Sequence, residues 1–271
     1  MHVMLFKVLL LVATIVSLVT ARDVPENLRA LYQSVRARGT CSNKLADGFF
    51  ATDTGPGNFC YCGDHLKSDG IIYIQGQRGA LADMDIDCDG ALGGPADDGR
   101  CSPARSGDFQ GQTSFRDTVQ SYGIPDLNTY VHPYVVFGNS GRRGWNTFSP
   151  SKHGIRPLSI VAVVCGDKLV YGIWGDTNGD DGPRAMVGEA AISLATECYG
   201  RKMAGDNGHS DTDVLYIAFT GDDAVPGAHG ANWKANSFAE FEASITGLGD
   251  SLVAGLTADS GAEKVCGWGW T

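Results

Sequence analysis

The sequence predicts an α+β fold whose mainly antiparallel sheet is able to close into a barrel, flanked by helices and stapled by disulfides. Three observations predict it. Short apolar runs are separated by glycine-rich loops, with 37 glycines in 271 residues. Several segments, by contrast, place apolar residues at helical spacing. All eight cysteines (Cys41, Cys60, Cys62, Cys88, Cys101, Cys165, Cys198 and Cys266) lie beyond the N-terminal apolar stretch, and an even count suits an oxidising compartment.

Residues Val3 to Val19 are almost all apolar apart from Lys7, and Val19-Thr20-Ala21 ends the run with a small residue. A charged start, a short apolar core and a small-residue cleavage site read as a secretory leader over 1–21, too short to span a membrane. The protein is therefore expected to be secreted. No repeat, low-complexity tract or linker divides the rest, so one domain is expected over 22–253, followed by a 254–271 tail carrying Cys266, Trp268 and Trp270. Without the leader, 20 basic face 31 acidic residues, a formal −11. That balance argues against nucleic acid or anionic membrane partners and suits a polycation. No Asn-x-Ser/Thr sequon occurs.

In chain order, Leu28, Leu31, Tyr32 and Val35 give a helix over Asn27 to Arg38. Phe49 to Cys62 reads as loop with short strands, and Ile71 to Ile74 as a strand. Cys60 and Cys62 are too close in sequence to pair with each other, so each is expected to reach a distant segment. From Asp83 to Gly90 acids alternate with Met84, Ile86 and Cys88. The twelfth residue from Asp85 is Ala96, not the bidentate Glu of a calcium loop, so no metal is expected. The alternation instead reads as a strand with Asp85, Asp87 and Asp89 on one face, either a solvated acidic face or a row awaiting a cation. Gly93 to Gly111 reads as a long loop tethered by Cys101, and Tyr134 to Phe137 as a strand.

Ser159 to Val164 and Leu169 to Trp174 are apolar runs joined through Gly166-Asp167, a hairpin turn. The chain then breaks into the polar stretch Gly175 to Pro183, with Asp176, Asp180 and Asp181. A helix is expected next, with Ala191, Leu194, Ala195 and Cys198 on one face, Glu189 at its start and Gly200 at its end. Val214 to Phe219 reads as a buried strand. Ser237 with Glu240 forms a capping box for a helix with Phe238, Phe241, Ile245, Leu248 and Leu252 on one face.

Serine or cysteine hydrolase chemistry lacks its signature: there is no G-x-S-x-G, and the histidines are scattered without metalloprotease spacing. No glycine-rich segment has a phosphate-loop lysine, and no cofactor is implied. Carboxylates remain. Asp176 leaving a strand and Glu189 entering the next element would hold two acids across a cleft, although Asp in a glycine-rich loop is by itself ordinary turn chemistry.

The segments GIWGDTNGDDG and MVGEAAISLA, with ALYQSVRARGTCSNKLADGFF, DMDIDCDGALGGPADDGRC, VHPYVVFGN and DVLYIAFTGDDAVPGAHGA, closely resemble the fungal chitosanases of glycoside hydrolase family 75. The resemblance runs over nearly the whole chain beyond the leader. It implies a six-stranded barrel core and inverting endo-hydrolysis of β-1,4-linked glucosamine by a monomer. It also implies that Asp176 and Glu189 are the catalytic pair and that chitosan is the polycationic partner. Asp85, Asp87, Asp89, Asp180, Asp181 and Trp174 are then candidates for binding substrate. Met186, Val187 and Ala190 beside Glu189 favour it as the acid, and a water-admitting polar loop favours Asp176 as the base. A non-catalytic carbohydrate-binding protein is the alternative reading.

Overall fold

The computed structural model describes residues 22–107, 109–179 and 182–257. The leader, the tail with Cys266, Trp268 and Trp270, and Asp180 and Asp181 lie outside the described residues. In chain order the elements are β1 (Arg22–Asp23), α1 (Glu26–Arg38), β2 (Lys44–Phe49), β3 (Phe59–Cys62), β4 (Ile71–Gln75) and β5 (Ala82–Asp87). There follow α2 (Arg116–Gln120), β6 (Tyr134–Asn139), β7 (Ile160–Cys165), β8 (Lys168–Asn178), β9 (Glu189–Ala191), α3 (Ile192–Tyr199), β10 (His209–Phe219) and α4 (Phe238–Ala254).

The fold is α+β with a mixed sheet. β5 runs parallel to β9 and β6 parallel to β8, while the remaining pairings are antiparallel. The pairings β8–β6, β6–β9, β9–β5, β5–β10, β10–β7 and β7–β8 form a circuit that returns to its starting strand. The expected β7–β8 hairpin is present, with Cys165 opposite Lys168 and Gly166 at a left-handed φ of 64°.

Apolar runs without alternation arise because both sheet faces are covered. Along β7, Val161, Val163 and Cys165 enter one cluster, with Met84, Ile86, Val135 and Leu194. Ile160, Ala162 and Val164 enter a second, roofed by Leu28, Leu31 and Val35 of α1 and by Phe241 and Ile245 of α4. The N-cap expected for α4 forms, as the Glu240 amide donates to Ser237 Oγ at 3.3 Å. Gly249 sets how closely α4 approaches the sheet, because a Cβ there would stand 2.6 Å from the Tyr171 ring. Tyr171 also donates its hydroxyl to Asp250 at 2.9 Å, and Arg22 meets Glu242 at 3.1 Å, so the helix is clamped at both edges of that contact.

Disulfides join Cys41 to Cys62, Cys88 to Cys101 and Cys165 to Cys198. The second tethers the long loop after β5, and the third ties the end of β7 to α3. Cys62 has the distant partner expected of it, whereas Cys60 is a buried thiol with no disulfide partner among the described residues. Burial pushes it up to about 12.

Asp83 of β5 is a buried acid, 2% exposed, with Oδ1 unpartnered. Burial, then the charges of Asp85 and Asp53, raise it to about 9.

Two stability measurements test this packing. In α4, Gly247→Ala meets nothing within 4 Å and should raise stability by about 0.5–1 kcal/mol, whereas Gly249→Ala should lower it by about 1–3 kcal/mol, read as opposite shifts of the urea midpoint. Asp83 is protonated when folded and ionised when unfolded between about pH 4 and 9, so its contribution is lost as pH rises through that window. Asp83→Asn should therefore flatten the fall in melting temperature between pH 5 and 8, and an unchanged slope would exclude Asp83 as its source.

Candidate active site

The cleft is built around β6. Val136 pairs with Asp176 of β8 on one side and with Glu189 of β9 on the other. Neighbouring strands stand about 4.7–4.9 Å apart, so the two acidic residues sit about 9–10 Å apart at their α-carbons. All three residues line one cavity of about 340 Å³, so they share a face.

A bulge makes this possible. Val135 pairs with Trp174 but Val136 with Asp176, leaving Gly175 as an extra residue in β8. In an unbroken strand, residues two apart share a face. Here Trp174 joins Val135 and Ala190 in the core cluster while Asp176 turns into the cavity. Glycine suits the position, since a Cβ at Gly175 would stand 2.5 Å from Tyr134 Cβ. An isolated glycine within a strand pattern is the sequence signal that would have found it.

Two expectations are corrected here. Asp176 does not lie in a polar loop: β8 continues to Asn178, paired with Asn139, and Asp176 is 6% exposed. Glu189 does not start a helix. Glu189–Ala191 is a strand against Asp85–Asp87, and α3 begins only at Ile192. Gly188 supplies the turn into it at φ 99°, and its carbonyl accepts from the Asp85 amide at 2.8 Å.

The Asp176 carboxylate is held on one side only. Oδ1 accepts from the Ser114 amide at 3.0 Å, the Ser114 hydroxyl and the Thr177 amide at 2.7 Å. Oδ2 is buried without a partner. Burial raises Asp176 to about 6, against these hydrogen bonds and helped by the charge of Asp126. The Ser114 loop is itself anchored where the Thr113 amide and hydroxyl donate to Asp126 at 3.0 and 2.6 Å.

The expected acidic row divides. Asp87 and Asp89 are buried in the same cavity, whereas Asp85 is exposed and beside Glu189 in register. Asp87 accepts from the Asp89 amide at 2.6 Å and Asp89 from the Gln110 amide at 2.5 Å. Burial, then Asp176 and Asp89, hold Asp87 well above the carboxylate range. One oxygen from each of Asp87, Asp89 and Asp176 lies within 4.8 Å of the others, a set that could hold a cation. Trp174 offers no open face: it is 4% exposed, donates its indole N–H to the Asp176 carbonyl at 2.8 Å and packs against the Phe115 ring. Sequence reasoning missed Ser114, Thr113, Gln110 and Tyr134, whose roles follow from contacts across the fold and carry no spacing signal. Tyr134 donates to the Asp89 carbonyl at 3.0 Å beneath the cavity.

Among the described residues, four carboxylates and no basic side chain line this cavity. Such a set can bind a cationic ligand, and a pair of acids on one face can act as proton donor and acceptor.

Known proteins agree with the chemistry of this cleft. An endo-chitosanase of Aspergillus oryzae is 49% identical over 244 residues, covering 88% of this chain and 94% of its own. Endo-chitosanase B of the same species and an endo-chitosanase of Aspergillus fumigatus are each 46% identical over 251 residues, covering 92% of this chain and 98% of theirs. Residues 84–255, which include Asp87, Asp89, Asp176 and Glu189, match the family described as fungal chitosanase of glycosyl hydrolase group 75, and the chain belongs to that family.

Proposed function

We propose that the protein is a secreted endo-chitosanase that cuts β-1,4 bonds between glucosamine units with inversion, using Asp176 and Glu189. The observation that carries this reading is their placement on either side of Val136, facing one cavity whose lining includes four carboxylates. Inversion needs carboxyl groups roughly 6.5–9.5 Å apart, so that a water fits between the base and the sugar. Two strand spacings put the α-carbons near the upper end of that range, and both side chains line the one cavity between them. The three disulfides support export, and the closed circuit of strand pairings supports a barrel core.

Burial suggests roles opposite to those the sequence favours. Asp176, raised to about 6 and with Oδ2 free, is suited to hold the proton that goes to the glycosidic oxygen. Glu189 is half-buried at the cavity wall, where water reaches it, and is suited to take a proton from the water attacking the anomeric carbon. The cationic substrate has its own counter-charges: an ammonium group beside Asp87 and Asp89 offsets the burial and the like charges that raise Asp87.

Five measurements follow. Purified enzyme should release glucosamine oligomers from chitosan while doing little to cellulose or fully acetylated chitin, and equal turnover of all three would defeat the assignment. Asp176→Asn and Glu189→Gln should each lower kcat by about 10²–10⁴-fold. The alkaline limb of kcat/KM for the parent should fall near pH 6 as Asp176 loses its proton. Azide should rescue Glu189→Ala, whose water-activating base is gone, and rescue of Asp176→Ala alone would reverse the roles. Asp89→Asn should raise KM in a salt-sensitive way, a change that an acid without substrate contact would not produce.

A further inference from the structure

A second groove continues the acidic cavity past Asp176. The two share Ser140 and Thr177, and the second encloses about 570 Å³. Its chemistry is the reverse of the first. Its lining includes Leu45, Phe115, His153 and Lys152 and, among the described residues, contains no carboxylate. Lys152 is exposed and makes no ion pair among the described residues. Asp47, near this wall in sequence, is engaged by Lys44 at 3.3 Å.

The groove is also firmly backed. Tyr61, Phe148 and His153 form a continuous stack, with ring centroids 3.9 Å and then 5.1 Å apart and planes within 16°. Phe148 is covered on both faces, while the half-buried His153 ends the stack at the groove. Phe115 stands edge-on to Trp174, immediately beside Asp176. A sugar ring lying along the cleft therefore passes from carboxylates onto apolar and aromatic surface next to an unpaired lysine.

Resting on the chitosanase reading, we propose that this groove is a subsite for an N-acetylglucosamine unit of partly acetylated chitosan, with Lys152 selecting against glucosamine there. The acetamide is neutral and its methyl matches the apolar wall, whereas an ammonium would face Lys152 with no acid among the described lining residues to receive it. The enzyme would then accept glucosamine in the acidic cavity and favour an acetylated unit on the Asp176 flank.

The test is digestion of half-acetylated chitosan, with product ends sequenced by mass spectrometry after reducing-end labelling. N-acetylglucosamine should be over-represented within the first two positions on one side of the cut and not on the other. Lys152→Glu should reduce that bias about two- to fivefold, and the reduction should shrink in high salt because the charge is exposed. End compositions at the bulk ratio on both sides, or a bias unchanged in both Lys152→Glu and His153→Ala, would overturn the subsite while leaving cleavage of deacetylated chitosan intact. Absence of cleavage of any chitosan would overturn the chitosanase reading and this inference with it.

Discussion

One extra residue in β8 governs the cleft. Gly175 breaks the two-residue rhythm of the strand, so that Trp174 stays in the core and Asp176, only two positions later, faces outward. Because β6 is shared between β8 and β9, the same strand that receives Asp176 on one edge receives Glu189 on the other. The geometry of the pair is thus a property of backbone hydrogen bonding, the stiffest part of the molecule, and not of the loop between them. Tyr134 beneath, whose Cβ lies against Gly175, ties the bulge to the floor of the cavity through its bond to Asp89.

Around that frame the protein concentrates like charge. Asp87, Asp89 and Asp176 share a space too small and too dry for three ionised groups, and the fold tolerates them by two means. Backbone amides of Asp89, Gln110, Ser114 and Thr177 point at their oxygens. Burial, then the charges of Asp176 and Asp89, raise Asp87 well above the ordinary carboxylate range, which favours its neutral form. A cation entering the cavity would favour the ionised form of Asp87, so the site suits positive charge rather than merely exposing negative charge. The Cys88–Cys101 bridge holds down the loop that supplies Gln110, which makes the disulfide part of the electrostatic design.

Much of the architecture could be read from the residues. The hairpin between β7 and β8, the helix over Glu26–Arg38 and the capped α4 rest on local signals that tertiary contacts reinforce. The failures share a cause. Glu-Ala-Ala reads as the opening of a helix because those residues favour one, yet pairing with Asp85–Asp87 holds it extended. Gly-Asp-Thr-Asn reads as a turn because nothing local reveals that Asn139 waits to pair with Asn178. Alternation placed the aspartates on one face, but the burial of Asp87 and the exposure of Asp85 depend on neighbours far along the chain. The candidate pair was visible in the sequence. Its environment was not, and the suggested division of labour turns on the environment.

The position of β6 between the two acid-bearing strands has an evolutionary consequence. The interval from Asn178 to Gly188 joins Asp176 and Glu189 in sequence, but their separation in space follows from the pairing of both with Val136. Insertions and deletions in that interval can reshape the mouth of the cleft without moving either carboxyl group. On the proposed reading, the shape of the cleft and the spacing of its acid pair are thereby placed under separate genetic control, one free to drift and the other fixed by the sheet.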